Sequence, residues 1–521
     1  MPIHEILRGH VAAIFQRLEE AFDTPFGGRD NPLRHLGALA LYFLWIDTVS
    51  GLYLYTVLDT SIEGVHTSID WLTNEQWYLG GIFRSLHRYA VDAFVFLTML
   101  HLAREWSYGR YHGFRFYSWI TGVPLLWLMF FSAIGGYWIV WDRLAQLSAI
   151  ASTELLDWLP IFSEPSARNF LTPESVSDRF FTVLVFIHLG VPLLLILGLW
   201  AHVRRISHVD HFPARRLALG SVTALLVLSL IQPAVSDAPA DLSLVALGTR
   251  FDWFILFVHP LTDITSPGFV WALLLGTTLF LFVLPLLPHA AAQPVAVVDP
   301  PNCNGCRRCF VDCPYAAVTM APHPDKPGHE IAVVDADLCA SCGICAGSCP
   351  SSTPFRSQQK LITGIDLPLR PVDALREELE AKLARLVGSE RIAVFGCDHG
   401  APVKSLESPS TAVISLTCIG MLPPAFVEYA LRGGADGVVI AGCREGGCEF
   451  RLGDRWTTER LARHREPQLR ENVPDRRLHL APASRHDVGM LAKELAEFRT
   501  RLKNHATERP LPYQRRTQPH D

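Results

Sequence analysis

The sequence predicts a multidomain chain: an α-helical membrane bundle of about six transmembrane helices around a four-helix core, then a small α+β domain, then an α/β domain. Three observations predict this. Residues 33–290 are apolar and aromatic with few charges, whereas residues 297–521 are charged. All 12 cysteines fall in the charged part. Two histidine pairs and two glycine pairs in the apolar part share one spacing of 14 positions.

A chain of 521 residues has room for several domains. Its net charge of -5 is too small to point to nucleic acid, so no such partner is expected. The chain opens PIHEILRGHVAAIFQRLEEAF, with Ile3, Ile6, Leu7, Val11, Ile14, Leu18 and Phe22 at helical spacing. It lacks the continuous apolar run of a cleavable signal. An amphipathic helix lying on a membrane surface fits it better than one packed on soluble protein.

The spanning segments run roughly over 33–57, 81–104, 117–141, 180–203, 215–232 and 268–288. A hydrocarbon core of about 30 Å needs about 20 helical residues, so the fifth is short. Loop charges set the orientation. The 58–80 loop carries Asp59, Glu63, Asp70 and Glu75 but no Lys or Arg. Arg104, Arg110 and Arg115 follow the second span, and Arg204, Arg205, Arg215 and Arg216 follow the fourth. The expectation is a multi-pass protein of a prokaryotic cytoplasmic membrane, with the N-terminus and every cysteine on the cytoplasmic side. In such a compartment grouped cysteines mean metal sites more often than disulfides.

The second span reads HRYAVDAFVFLTMLH from His87 to His101, and the fourth reads HLGVPLLLILGLWAH from His188 to His202. Polar residues inside a bilayer are costly and mark function. Fourteen residues of α-helix turn through about 1400° and rise about 21 Å, so each helix shows one imidazole near each surface on nearly one face. Two such helices side by side offer two His–His pairs stacked across the membrane. Bis-histidine ligation of two haems needs this layout. Gly37 and Gly51 on the first span, and Gly122 and Gly136 on the third, keep the same spacing and would let a flat macrocycle approach the backbone. Ordinary close helix packing is the competing account of each glycine pair.

With RSLHR at Arg84–Arg88, HLAREWSYGRY at His101–Tyr111 and SDRFF before the fourth span, residues 1–290 resemble the cytochrome b subunit of quinol-oxidising cytochrome bc-type complexes. The resemblance implies that His87 and His188 bind an outer haem b and His101 and His202 an inner one. It implies that Arg84 and Arg104 neutralise haem propionates; the alternative is interfacial snorkelling. It also implies an outer quinone site. There FDWFILF, Phe251–Phe257, stands in place of the family's Pro-Glu-Trp-Tyr, and Asp252 is the candidate catalytic proton acceptor. The proline is absent, the carboxylate is one methylene shorter, and Val140-Trp141 replaces the family's Pro-Trp. An inner quinone site near His208, Asp210 and His211 is the weaker expectation, a solvated loop its rival.

Residues 303–314 read CNGCRRCFVDCP and residues 339–350 read CASCGICAGSCP. Each is Cys-x2-Cys-x2-Cys-x3-Cys-Pro, the pattern in which the fourth cysteine serves the other cluster. Cys303, Cys306, Cys309 and Cys349 are expected to hold one [4Fe-4S] cluster. Cys339, Cys342, Cys345 and Cys313 are expected to hold the second. Residues 297–356 resemble bacterial two-cluster ferredoxins.

Cys397, Cys418, Cys443 and Cys448 remain. RIAVFGC, TAVISLTC and GVVIAGC each read as a β-run ending at a cysteine. Such ends gather at one edge of a βαβ sheet, where four thiolates suit [2Fe-2S] or zinc. The stretch CIGMLPPAFVEYALRGGADGVVIAGCREGGCEFRLGD is similar to the delta subunits of methyl-viologen-reducing hydrogenases, which implies [2Fe-2S] over residues 390–470. The family opens with Cys-x2-Cys, whereas here Asp398, His399 and Gly400 follow Cys397. Residues 357–389 are expected as a helical linker, and 471–521 as a basic tail.

These parts make a membrane electron-transfer subunit of a quinone-linked oxidoreductase complex. Membrane quinone would exchange electrons with a cytoplasmic partner that carries the substrate chemistry. The resemblance implies that partner to be a heterodisulfide-reductase A-like flavoprotein, a hydrogenase or a dehydrogenase. A homodimeric membrane domain is also expected. The alternatives are a membrane anchor and electron wire without its own quinone site, and a subunit of a bc-type respiratory complex.

Overall fold

The computed structural model describes residues 3–160, 168–172, 175–244, 252–287, 293–357 and 360–504. Phe251 of the FDWFILF stretch and residues 505–521 of the expected tail lie outside them. The chain packs as two compact units: Met1–Arg204 with Val209–His289, and Arg205–His208 with Ala290–Asp521.

The first unit is helical: α1 (Ile3–Phe26), α2 (Leu36–Val57), α3 (Val65–Asn74), α4 (Ile82–Ser107), α5 (Phe116–Val140), α6 (Arg143–Asp157), α7 (Asp178–Val203), α8 (Arg215–Ile231), α9 (Val258–Ile264) and α10 (Pro267–Val283). Local chemistry starts several of them. Asp142 caps α6 by accepting the Ala145 amide at 2.9 Å. Ser266 caps α10 by accepting the Phe269 amide at 3.2 Å, with Pro267 in the first turn. Along α1, Ile6, Leu7, Ile14, Leu18 and Phe22 are exposed, leaving the apolar stripe uncovered.

Helices occur at all six expected spans. Among the described residues, four stretches are long and apolar enough to cross a membrane: Leu36–Val57, Gly113–Val140, Asp178–Val203 and Pro267–Leu286. The 26 residues of α4 include Arg84, Arg88, Asp92, Arg104 and Glu105, which dilute its apolar character. The 17 residues of α8 reach about 26 Å, short of a full hydrocarbon core. Helix α2 packs along α4 and α5 along α7, giving the four-helix core. Its middle is closed by Leu39, Phe43, Ala90, Phe94, Met129 and Leu195.

The second unit contains β1 (Val297–Val298), α11 (Arg308–Asp312), β2 (Val318–Pro322), β3 (Glu330–Val334), α12 (Ile344–Ser348), β4 (Ile365–Asp366), α13 (Val372–Leu383), β5 (Ile392–Cys397), β6 (Thr411–Leu416), α14 (Ala425–Arg432), β7 (Gly437–Ala441), α15 (Gly453–Leu461), β8 (Leu478–Leu480) and α16 (Val488–Asn504). Two antiparallel ladders, β1 with β4 and β2 with β3, frame the cysteine-rich part. A parallel sheet of order β6-β5-β7-β8 follows. Every residue of β5 and β7 is buried, as expected of parallel strands covered on both faces.

Two expectations are corrected here. The helix of the 357–389 stretch, α13, buries Val372, Leu375, Leu379 and Leu383 and packs on β6. It is a layer of the α/β fold rather than a free linker. Residues 471–504 are not tail either. Strand β8 extends the sheet beside β7, and α16 buries Leu491, Leu495 and Phe498. Arginine-rich flanks masked this apolar stripe.

Candidate functional site

Helix α4 carries His87 and His101, and α7 carries His188 and His202. The His87 and His188 rings face each other with centroids 6.3 Å apart. Two metal–imidazole bonds of about 2 Å each, plus the half-widths of two rings, span such a gap. His101 and His202 form the second pair, close enough to interact electrostatically.

The four glycines come to the edges of these rings. A Cβ at Gly51 would stand 2.8 Å from Cε1 of His87, and one at Gly136 would stand 3.0 Å from Cε1 of His188. At the other level the distances are 3.5 Å from Gly37 to His101 and 3.1 Å from Gly122 to His202. The missing side chains therefore clear the imidazoles themselves, a more local role than the backbone approach expected.

Sequence reasoning missed what holds the rings. His87 Nδ1 lies 3.0 Å from the carbonyl oxygen of Asp47, and His188 Nδ1 lies 3.2 Å from that of Ser132. His202 meets Thr121 Oγ1 at 3.4 Å. A carbonyl only accepts, so Nδ1 of His87 and of His188 donates, which leaves Nε2 with the lone pair a metal needs. Asp47 and Ser132 each sit four residues before a glycine of the 14-residue pattern.

The two arginines differ. Arg84 is buried and donates to Thr73 Oγ1 at 2.6 Å and Ser236 Oγ at 2.8 Å, both neutral oxygens. Arg104 is also buried, but Glu19 Oε1 at 2.8 Å and Glu105 Oε1 at 3.2 Å meet its charge. Neither guanidinium snorkels freely, and Arg84 retains more charge to offer an anionic ligand.

Asp252 is engaged on both oxygens. Arg88 and Tyr137 donate to Oδ2, while the amides of Phe254, at 2.7 Å, and Ile255, at 3.2 Å, donate to Oδ1. Burial raises its pKa, but the Tyr137 hydroxyl, the Phe254 amide and Arg88 together hold it below the ordinary carboxylate value. Such an acid stays ionised and partnered, a poor match to the proton acceptor expected at an outer quinone site. His208, Asp210 and His211 are exposed in a loop, and His208 Nε2 lies 2.9 Å from the Val311 carbonyl oxygen.

In the second unit the ferredoxin-type cysteines separate into two cavities. Cys303, Cys306, Cys309 and Cys349 line one. Cys313, Cys339, Cys342 and Cys345 line the other. The exchange of fourth cysteines arises because α11 and α12 pack together. Both loops turn through left-handed backbone at equivalent places: Gly305 and Arg307 in one motif, Ser341 and Gly343 in the other. Burial, then neighbouring cysteines, pushes the Cys309 thiol up to about 12 and Cys345 well above its usual value. Thiolates packed this way need a cationic centre among them, and four cysteines around a cavity fit an iron–sulfur cluster.

The last four cysteines meet at the carboxyl edge of the parallel sheet. Cys397 ends β5, while Cys418 and Cys443 lie two residues beyond β6 and β7. All four, with Cys448, are buried. Cys443 Sγ is 3.7 Å from Cys397 Sγ. Hydrogen bonds to Cys397 and Cys448, and then burial, push the Cys418 and Cys443 thiols well up. Gly453 closes this site, because a Cβ there would stand 2.2 Å from Cys418 Sγ. The site lies where the chain leaves β5 for β6 on one side and later β7 on the other, a topological switch point.

Three family models match consecutive parts of the chain. Residues 29–209 match cytochrome b/b6/petB. Residues 302–353 match a 4Fe-4S dicluster domain. Residues 388–505 match the delta subunit of methyl-viologen-reducing hydrogenase. The first match implies haem and the second [4Fe-4S] clusters. Among curated relatives, cytochrome b6 of Heliomicrobium gestii is 27% identical over 173 residues, covering 32% of this chain and 78% of that protein. Cytochrome b6 of Heliobacterium mobile is 29% identical over 126 residues, 24% of this chain and 59% of that protein. Cytochrome b of Acanthamoeba castellanii is 27% identical over 185 residues, 35% of this chain and 47% of that protein. A solved chain of a hyperthermophilic respiratory Complex III aligns with a TM-score of 0.41 and 21% identity, over 49% of this chain and 75% of that one.

Proposed function

We propose that this chain is a membrane electron-transfer subunit linking quinone to a soluble redox partner. His87 with His188, and His101 with His202, would hold two haems b. The two ferredoxin-type cavities would hold [4Fe-4S] clusters, and Cys397, Cys418, Cys443 and Cys448 one [2Fe-2S] cluster. When bound, these groups supply one-electron transfer.

The observation that carries the reading is the combination, in one chain, of facing histidine pairs on α4 and α7 with two four-cysteine cavities. The protein's own residues orient and shield. The Asp47 and Ser132 carbonyls hold two imidazoles in the tautomer that ligates a metal. Leu39, Phe43 and Phe94 keep water from the space between the two levels. Substrate chemistry belongs to the partner, a flavoprotein of heterodisulfide-reductase A type, a hydrogenase or a dehydrogenase, on the cytoplasmic side.

The engagement of Asp252 by Arg88 and Tyr137 favours a second reading in one respect. The chain then serves as anchor and wire, without an outer quinone site of its own. Anaerobic membranes containing the protein separate the two. Quinol-driven growth of the haem b absorption band supports quinone chemistry here. A band that dithionite raises and quinols of sufficiently low potential do not supports the wire. Blockade by an outer-site inhibitor places the reaction on the outer side.

A further inference from the structure

Four histidines face four glycines, and the residue four positions before Gly51 and before Gly136 meets the facing ring through its carbonyl. Those residues are Asp47 and Ser132. Only Asp47 carries a charge. Its carbonyl accepts from His87 Nδ1 at 3.0 Å, and its Oδ1 lies 2.8 Å from the same nitrogen. That oxygen is buried, and among the described residues it has no hydrogen bond of its own. The contact is thus a charge held against the ring, off the line of the N–H bond.

Neighbouring charges do not cancel it. Arg88, the next residue along α4, is committed to Asp92 and Asp252. The other three histidines lack an equivalent. His188 meets the Ser132 carbonyl and His202 the Thr121 hydroxyl. The acid near His101 is Glu105, itself paired with Arg104 and Arg110.

Resting on the haem assignment above, we infer that Asp47 is a positioning residue that selectively lowers the reduction potential of the His87–His188 haem. A carboxylate against Nδ1 makes the imidazole a stronger donor and favours the more positive, oxidised iron. A charge at this range in a partly buried site acts at an effective dielectric of about 20, enough for a tenfold effect.

The test is a redox titration of the haem bands of the full-length protein with its cofactors in place. Asp47→Asn keeps the shape and removes the charge. It is expected to shift the reduction equilibrium of one haem toward the reduced form by about tenfold, about 59 mV for one electron. The other haem should not move, and Asp47→Glu should stay near the parent. The affected haem is identified as the one missing from His188→Leu. If Asp47→Asn fails to load haem, Asp47→Ser, which copies the Ser132 position, is titrated instead. Two bound haems with unchanged potentials, or an equal shift of both, would overturn the inference while leaving the haem assignment standing. A parent protein without a haem b spectrum would overturn both.

Discussion

A side-chain carbon at Gly51 would stand 2.8 Å from Cε1 of His87, closer than such atoms approach. The helix pair α2–α4 therefore has room for this imidazole only because residue 51 is glycine. Replacing Gly51 with Val should displace His87 and halve the haem bound per chain, leaving the His101–His202 level loaded. Haem stoichiometry with redox-resolved spectra checks this. Full occupancy with parent spectra would contradict it.

The crossed cysteine sets make a prediction that sequence proximity alone would get wrong. Cys349 belongs to the second motif but lines the cavity of Cys303, Cys306 and Cys309. Cys349→Ala should therefore damage that cluster and spare the one bounded by Cys313, Cys339, Cys342 and Cys345. Electron paramagnetic resonance of Cys349→Ala beside Cys303→Ala reads the answer: both should lose the same signal.

Gly453 offers a test of the third cysteine set. Its absent Cβ leaves 2.2 Å to Cys418 Sγ. Gly453→Ala should deplete the iron of this site, with an overpacking cost of about 1–3 kcal/mol, and spare both [4Fe-4S] signals. Zinc in place of iron in the parent protein would overturn the [2Fe-2S] proposal without touching the geometry.

Asp252 is partnered and held ionised. Asp252→Asn should accordingly slow quinol-driven haem reduction less than about tenfold and leave its pH profile near neutrality unchanged. A proton acceptor in the reaction would cost roughly 100-fold or more. Stopped-flow reduction between pH 6 and 8, on the order of the usual working range, distinguishes the two.

Asp366 predicts a pH effect on stability. Burial pushes its pKa from 3.8 to about 6, against hydrogen bonds from the Val372 and Leu367 amides. The folded state then binds the proton more tightly than the unfolded state, so stability falls as pH rises from about 4 to about 6 and stays lower above that. The penalty is on the order of a few kcal/mol. Asp366→Asn keeps the amide acceptor and avoids the charge. Its advantage in urea midpoint should be larger at about pH 7 than at about pH 5; an equal advantage at both would contradict this.

Periodicity and spacing carried much of the reading. The histidine and glycine repeats needed only the pitch of an α-helix, and the eight ferredoxin-type cysteines only their motif. Contacts between helices were not legible. Asp47 matters because α2 lies along α4, and no local pattern sets it apart from any other acid within an apolar run. Gly453 escaped notice because a single glycine has many explanations, and its reason is a sulfur atom 35 positions away. Residues 471–504 were misread because arginines around Leu491, Leu495 and Phe498 dilute the apolar signal that a helix covering a sheet gives.

Strand β8 and helix α16 also bear on where the gene can safely be cut. A shortened version ending near residue 470 would look prudent, since all the cysteines come earlier. It would strip β7 of a neighbour and open the greasy patch that Phe498 covers. Bare strand edges invite pairing with other chains. Such a version should precipitate, and the blame would fall on its metal sites when the fault lay in the missing last layer.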